Sequence, residues 1–250
     1  MYKRQPYDGF GKASVIPNKL EKFKQVLDTA EANHLKVVVT LFDLYGDYSV
    51  LDWTLNQKHV TTIISTFKNH NAIAAWDIKN EPDLDFKSRG ELRVKSWLQQ
   101  MIKHVKSIDQ DTPVTIGWSN AKSATILKND LDFVSFHYYE DLDYLEATYK
   151  NLKAAIPNKP IVLGEFGISS YNGIWNPLGA SEKSQANYFK KAQTILKQNK
   201  LPFISWTLYD FKTIPKKVVG RLPWRKNAQK EFGFIRANGE KKPSFKHISN

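Results

Sequence analysis

Cysteine is absent from this chain of 250 residues, which excludes disulfide bonds, thiolate nucleophiles and cysteine metal sites. No apolar stretch approaches the roughly 18 residues that a membrane-spanning helix needs, so the sequence predicts no membrane partner. The first residues, Met1–Gln5, also lack the apolar segment of a secretion signal. A hydrophobic content of 41% is nevertheless enough to bury a substantial core, and we expect one domain over residues 1–250.

Several site signatures are missing as well. The six histidines include no pair at the helical spacing of metal ligands, so we expect no metal. Neither a glycine-rich phosphate loop nor a Gly-x-Ser-x-Gly elbow occurs. A dinucleotide-binding sheet would account for alternating strands and helices, but it needs a glycine fingerprint near its first strand that this chain lacks. The sequence therefore predicts no cofactor.

The chain has an excess of positive charge, with a net charge of +12 at pH 7. Such an excess suggests a nucleic-acid partner, since lysine and arginine bind phosphates through counterion release. The basic residues, however, are spread mostly singly along predicted helix faces, and no nucleic-acid-binding motif accompanies them. A solvated surface accounts for this pattern, so we expect a monomer with no nucleic-acid partner.

Apolar patterns of strand type and helix type alternate along the chain. Pro17 opens the first helix, Ser88 with Glu91 forms a capping box that predicts the start of a long helix, and Ser181 caps a later one. Alternation at this spacing predicts an α/β protein with a parallel sheet. The predicted strands are Lys36–Phe42, Ala72–Lys79, Pro113–Gly117, Leu131–Tyr138, Pro160–Gly164 and Pro202–Leu208.

The strand starts recur about every 33 residues, the size of a strand with its crossover helix. Six strands fit an eight-stranded barrel that lacks its first two βα units, so that the strands present are the third to the eighth. Two sheet edges would then carry unpaired backbone groups, and we expect poor stability for this chain alone. An unusually short natural start is the alternative.

Two acidic signatures stand out, at Trp76–Pro82 and at Ile161–Gly167. Each is an apolar run that ends in a glutamate, Glu81 in the first and Glu165 in the second. Barrels of parallel strands keep their chemistry at the carboxyl ends of the strands. Because paired carboxylates carry out glycoside hydrolysis, the two signatures predict that reaction class, whereas an isolated glutamate would more often form a surface ion pair.

Four features in order carry a family resemblance: Asn80-Glu81-Pro82, His137-Tyr138-Tyr139, Glu165 within Gly-Glu-Phe-Gly, and Trp206 on the last predicted strand. Together they resemble the retaining glycoside hydrolases of clan A and are most similar to family 5, the cellulase and mannanase group. The resemblance implies a TIM (β/α)8-type barrel. One departure is that the arginine which family members place at the end of the second strand has no counterpart here.

The resemblance also implies roles for the residues. Glu81 would be the general acid/base and Glu165 the nucleophile, a division that like-charge repulsion supports because ionising one carboxyl raises the proton affinity of the other. Asn80 would bond the sugar 2-hydroxyl, although a turn-forming asparagine is the alternative.

Aromatic residues supply the remaining candidates. The resemblance implies that His137 lines the sugar site, that Tyr139 donates a hydrogen bond to Glu165, and that Trp206 is a platform under the sugar; packing in the barrel wall is the alternative for His137 and Tyr139. Further subsite walls could come from Trp53, Trp118, Trp175 and Trp224.

The expected activity is retaining hydrolysis of β-linkages in a β-1,4-linked polysaccharide or oligosaccharide, either glucan or mannan, without a cofactor. The expected location is outside the cell, because polymeric substrates lie there. The alternative from another class is a carbohydrate-binding barrel that no longer turns over.

Overall fold

The structure is a computed structural model, and it describes residues 15–43, 48–173, 176–215, 219 and 222–248. These residues form two compact units. The N-terminal unit contains the described residues up to Phe136 together with Ala154–Ile161. The C-terminal unit contains His137–Lys153 and the described residues from Val162 onward.

Five strands form a sheet in chain order, and the first four pair as parallel neighbours. Strands and helices alternate, so the fold class is α/β, as predicted. The strands are β1 Val37–Phe42, β2 Ile73–Asn80, β3 Val114–Trp118, β4 Val134–Tyr138 and β5 Ile161–Phe166. The helices are α1 Pro17–Ala32, α2 Trp53–Phe67, α3 Phe86–Arg89, α4 Glu91–Ile108, α5 Leu145–Ala155, α6 Glu182–Gln198 and α7 Pro223–Lys230. Short 3-10 turns cover Val50–Asp52, Pro82–Asp85, Ser123–Thr125, Leu142–Tyr144 and Pro243–His247.

The sixth predicted strand, Pro202–Leu208, does not form a regular strand. Its backbone still bonds to β5 within the C-terminal unit: Leu163 N donates to Pro202 O at 2.9 Å, and Trp206 N donates to Phe166 O at 2.8 Å. The Trp206–Thr207 peptide bond is cis. The segment therefore continues the sheet through separate hydrogen bonds and carries Trp206 beside the end of β5.

The predicted capping box at Ser88 is wrong. Helix α4 begins at Glu91, and its preceding residue Gly90 has a φ of 90°, which separates it from the short helix α3 that contains Ser88. The Ser88 hydroxyl instead donates to Asp85 O. The start of α1 at Pro17 is confirmed, and Ser181 Oγ accepts from Ser184 N at the start of α6, as its sequence predicted.

The core of the N-terminal unit lies under α4. Trp97 is fully buried, packs edge-on against Phe42 at 4.9 Å between ring centroids, and donates from Nε1 to Asn56 Oδ1 at 2.7 Å. Burying one aliphatic side chain of the size of leucine contributes about 1.5–3 kcal/mol. The other buried residues of the α4 stripe are Val94, Leu98, Met101, Ile102 and Val105.

An aromatic cluster forms the core of the C-terminal unit. Phe166 at the end of β5 packs edge-on against Phe189 of α6 and against Phe203, with centroid distances of 5.7 Å in both cases. Phe189 also contacts Phe234, with 4.4 Å between the ring centroids.

A membrane-spanning helix would have to be both long and apolar, and the described residues contain none of that kind.

A buried carboxylate ties the loop before β3 to strand β2. Asp109, only 5% exposed, accepts from Trp76 Nε1 at 2.9 Å and from the backbone N–H groups of Asp111 and Thr112. Burial raises the pKa of Asp109, but the hydrogen bonds from Trp76, Thr112 and Asp111 outweigh it, so the pKa lies below its ordinary value.

We predict that Asp109→Asn lowers the free energy of unfolding by about 1–3 kcal/mol, because an amide nitrogen opposite Trp76 Nε1 leaves a buried donor unsatisfied. Since the folded pKa is depressed, the stability difference from the wild type is full above pH about 4 and shrinks as the pH falls through the folded pKa. Urea unfolding at several pH values measures both effects. Asp111→Asn, an exposed change in the same loop, is the control, and an equal loss in that variant would contradict the assignment.

Candidate active site

Polar residues are buried along β2, where the sequence shows a mostly apolar run. Asp77 is 7% exposed and accepts from Thr40 Oγ1 of β1 at 2.8 Å and from Gly117 N of β3 at 2.9 Å. Lys79 is 1% exposed, and its ammonium lies 5.9 Å from the ring centroid of Tyr48. The carboxyl half of β2 is therefore a polar, enclosed segment that leads directly to Glu81.

Glu81 occupies an unusual backbone conformation immediately after β2. Its φ of 47° and ψ of 49° are left-handed, a region that costs energy for a residue with a Cβ. Its N–H donates to Gly117 O at 2.6 Å, which closes the ladder between β2 and β3. Asn80, the last residue of β2, and Glu81 are both half-buried. A half-buried carboxyl at a strand end can reach a bound ligand and still be held by the sheet.

The turn after Glu81 is fixed by the carboxylate of Asp83. Its Oδ1 accepts from Ser119 N at 3.0 Å, and its Oδ2 accepts from the Ser119 hydroxyl and from Asn120 Nδ2 at 3.0 Å. Ser119 and Asn120 directly follow β3. The turn that carries Glu81 is thus attached to β3 twice, once by the backbone of Glu81 and once by the side chain of Asp83.

A second attachment of the same turn runs towards the segment after β1. The Tyr48 hydroxyl donates to Asp85 Oδ2, and both side chains are buried. Burial and this hydrogen bond raise the pKa of Tyr48 well above its ordinary value, so the hydroxyl stays protonated as a donor. Tyr48 also packs edge-on against Trp97, with 5.3 Å between the ring centroids.

In the C-terminal unit, Glu165 lies near the end of β5 and is half-buried. The Tyr139 hydroxyl donates to Glu165 Oε1 at 2.7 Å, the bond that the resemblance implies. Tyr139 is 47% exposed and contacts Phe232 edge-on at 6.4 Å. The bond holds one carboxyl oxygen of Glu165 in place.

His137 and Trp206 belong to the same unit. His137 is 4% exposed on β4, two residues before Tyr139, and Trp206 is half-buried with Phe211 at 5.9 Å between ring centroids. Gly167 packs against the backbone of Trp206 so closely that an added Cβ would lie 2.2 Å from Trp206 O. The position after Phe166 therefore admits only glycine without displacement of Trp206.

A buried ion pair supports the segment after Trp206. Lys242 Nζ bonds Asp210 Oδ1 and the Ser170 hydroxyl, both at 2.8 Å, and the Lys242 side chain is 1% exposed. Asp210 Oδ1 also accepts from Gly233 N at 2.8 Å. Together these bonds connect the C-terminal end of the described chain to the loop that follows the tryptophan.

The other tryptophans differ in what they can contact. Trp118 is fully buried and cannot form the wall of a ligand site, because no face of its ring reaches solvent. Trp53 is half-buried and Trp224 is 44% exposed. Trp175 lies outside the described residues.

Sequence reasoning missed the residues that hold the candidate carboxylates. Asp83 follows Asn-Glu-Pro directly, and an acidic residue in a turn after a strand end is the signal that could have found it. Its partners Ser119 and Asn120 follow a separate strand, and no pattern in the sequence pairs the two segments. Lys242 lies in a polar tail and gives no sign of its burial.

Comparison with known proteins supports a family assignment. Residues 5–212 match the protein family described as cellulase (glycosyl hydrolase family 5). The chain is 22% identical over 197 residues to a mannan endo-1,4-beta-mannosidase A of Podospora anserina. This match covers 62% of this chain and 52% of the relative. It is 26% identical over 205 residues to a beta-glucuronidase of Felis catus, and this match covers 74% of this chain and 30% of the relative. The chain thus spans about half of the first relative and less than a third of the second.

Solved structures share the fold. A Rhizomucor miehei beta-1,3-glucanosyltransferase, an active-site mutant in complex with laminaritriose, superposes with a TM-score of 0.67 at 16% identity, over 89% of this chain and 80% of that chain. A Bifidobacterium dentium beta-glucuronidase superposes with a TM-score of 0.69 at 19% identity, over 90% and 38% of the two chains.

We predict that Gly167→Ala lowers the free energy of unfolding by about 3 kcal/mol, at the upper end of overpacking costs, because the new methyl group meets a backbone carbonyl that has no room to yield. Urea unfolding followed by tryptophan fluorescence measures it. Gly239→Ala is the control: its φ is 96° and a Cβ there meets no atom within 4 Å, so only the backbone cost of about 1 kcal/mol applies. Equal losses in the two variants would contradict the close packing against Trp206.

Proposed function

Because the chain belongs to glycosyl hydrolase family 5, we propose that it hydrolyses β-glycosidic bonds with Glu81 as general acid/base and Glu165 as nucleophile. The observation that carries the proposal is the hydrogen bond from the Tyr139 hydroxyl to Glu165 Oε1, because it fixes the orientation of a carboxyl group near the carboxyl end of a parallel strand, where barrels of this kind keep their catalytic residues. A nucleophile of this reaction has to be held facing the anomeric carbon that it attacks.

We propose that the two glutamates act as a pair because both lie at the carboxyl ends of parallel strands. Glu81 directly follows β2, and Glu165 is the next-to-last residue of β5. The carboxyl ends of parallel strands in a barrel lie on one face, where catalytic residues from different strands converge. For a retaining reaction we expect the two carboxyl groups to lie about 5–5.5 Å apart. In an inverting enzyme the two carboxyl groups are about 6.5–9.5 Å apart, because a water molecule must fit between one of them and the sugar.

In the proposed reaction, Glu165 attacks the anomeric carbon while Glu81 gives its proton to the oxygen that leaves. The bond between sugar and leaving group breaks, and a covalent glycosyl-enzyme forms on Glu165. Glu81, now ionised, takes a proton from water, and the resulting attack releases the sugar from Glu165 with its original configuration. Each glutamate ends in its starting protonation state, so the cycle needs no cofactor.

We assign sugar binding to Asn80, His137 and Trp206. Asn80 precedes the acid/base and is proposed to bond the sugar 2-hydroxyl, where the interaction strengthens in the transition state. Trp206 offers an indole face to the C–H face of a sugar ring, and the buried His137 offers a ring nitrogen. The proposed substrate is a β-1,4-linked glucan or mannan, which the family name and the mannosidase relative favour.

The proposal includes a monomeric enzyme that acts outside the cell, where such polymers lie. A carbohydrate-binding barrel without turnover is the second candidate function. It shares the aromatic and polar residues with the first, so only a turnover assay separates the two.

We predict that Glu165→Ala lowers kcat on every substrate on the order of 10^4-fold, because the covalent step is lost. Glu81→Ala is expected to spare kcat/KM on 2,4-dinitrophenyl β-cellobioside, whose leaving group needs no proton, but to lower it about 10²- to 10⁴-fold on phenyl β-cellobioside. Aryl β-mannobiosides serve as the second substrate pair. Added azide should restore turnover in both variants, with the glycosyl azide inverted from Glu165→Ala and retained from Glu81→Ala.

The control for these variants is Glu140→Ala, a change of the exposed glutamate next to Tyr139, which should leave the rates unchanged. Turnover unaffected by Glu165→Ala would rule out the mechanism. Binding of soluble glucan or mannan without any release of sugar by the wild type would favour the binding protein.

A further inference from the structure

We propose that Asp83 is a positioning residue for Glu81: its carboxylate fixes the turn that aims the acid/base at the leaving oxygen. The inference rests on the proposed function of Glu81. It arises from the N-terminal unit alone, where a carboxylate two residues after Glu81 is committed to three hydrogen bonds with the segment after β3.

The backbone of Glu81 is the reason that such an anchor is needed. A left-handed residue with a Cβ persists only where surrounding contacts over-determine it. On one side, Glu81 N donates to Gly117 O, and Leu84 N donates to Glu81 O at 3.2 Å. On the other side, the turn Pro82–Asp85 has to be held against β3, and the side chain of Asp83 makes that contact. If this contact is lost, Glu81 can relax towards an ordinary φ, which redirects its side chain.

The polarity of the contact explains why a carboxylate stands at this position. Asn120 Oδ1 accepts from Ser123 N at 2.9 Å, so the amide nitrogen of Asn120 is the atom that faces Asp83. Ser119 also presents its backbone N–H and its hydroxyl to the same carboxylate. Asp83 therefore receives only donors, which suits a group that is acceptor-only when ionised. An asparagine would place its own amide nitrogen against that of Asn120.

A misplaced Glu81 affects one step more than others. Proton donation requires the acid within hydrogen-bond reach of the leaving oxygen, and a displacement of about 1 Å costs on the order of 10²-fold in rate. Substrate affinity and the attack by Glu165 do not depend on that proton when the leaving group is already a weak base. Substitution of Asp83 should therefore lower the same rates as Glu81→Ala does, but by less. A general loss of stability would instead lower the rates on all substrates alike.

The test compares Asp83→Asn and Asp83→Ala with the wild type on phenyl and 2,4-dinitrophenyl β-cellobioside, or on the matching mannobiosides where those are cleaved faster. We expect kcat/KM to fall about 10- to 100-fold on the phenyl glycoside and less than about threefold on the dinitrophenyl glycoside. The ratio kcat/KM reports the step in which Glu81 donates its proton, so hydrolysis of the intermediate does not obscure the comparison.

Two further variants separate positioning from stability. The exchange Asp83→Asn with Asn120→Asp keeps the total charge and reverses donor and acceptor, and we expect it to recover at least half of the lost activity on the phenyl glycoside. Asp109→Asn changes another carboxylate that accepts several hydrogen bonds, in the loop before β3, and should lower the rates on both glycosides equally or leave both unchanged.

A crystal structure of Asp83→Asn gives a readout that is independent of turnover. We expect Glu81 to leave the left-handed region, and a φ that stays near 47° with an unmoved side chain would overturn the inference. Equal rate losses on the two glycosides in Asp83→Ala would overturn it as well. If Glu81→Ala itself shows no dependence on the leaving group, the proposed function fails; if only the Asp83 variants lack that dependence, the inference fails alone.

Discussion

The hydrogen bond from Glu81 N to Gly117 O is the constraint on which much of the N-terminal unit depends. It ends the ladder between β2 and β3 and forces the chain to turn within one residue, through a left-handed backbone. Three nearby carboxylates accept hydrogen bonds around that turn. Asp77 accepts from the backbone of Gly117, Asp83 accepts from Ser119, and Asp85 accepts from the hydroxyl of Tyr48. Each of these polar groups has a hydrogen-bond partner on a neighbouring element, and together these bonds hold the end of β2 in place.

The two candidate carboxylates have different surroundings, and this difference fits different tasks. Glu165 receives a hydrogen bond from the Tyr139 hydroxyl, which holds the carboxyl group of Glu165 in one orientation. Glu81 begins a turn that is held by hydrogen bonds of its own backbone and of the Asp83 side chain. These bonds fix the direction in which the Glu81 side chain points. In the proposed reaction the nucleophile must face the carbon that it attacks, and the acid must point at the leaving oxygen.

The sequence predicted what depends on local pattern. The alternation of strands and helices, the start of α1 at Pro17 and the cap at Ser181 are all seen. The capping box at Ser88 failed because Gly90 adopts a positive φ that no hydrophobic pattern reports, and the last strand is irregular although its residues have strong strand preferences. Asp83 and Lys242 were missed for a different reason, since their partners lie far away in sequence and long-range pairing leaves no local signal.

The central claim is that Glu165 forms the covalent bond with the sugar. The most direct measurement is to incubate the wild type with 2,4-dinitrophenyl 2-deoxy-2-fluoro-β-cellobioside, or its mannobioside counterpart, and to locate the label by peptide mass spectrometry. The electronegative fluorine slows both steps, while the good leaving group keeps the first one accessible, so the glycosyl-enzyme should accumulate. The account predicts one sugar per chain on the peptide that contains Glu165, and it predicts no label in Glu165→Ala. A label on another residue, or full turnover of the parent glycoside with no covalent adduct, would contradict it.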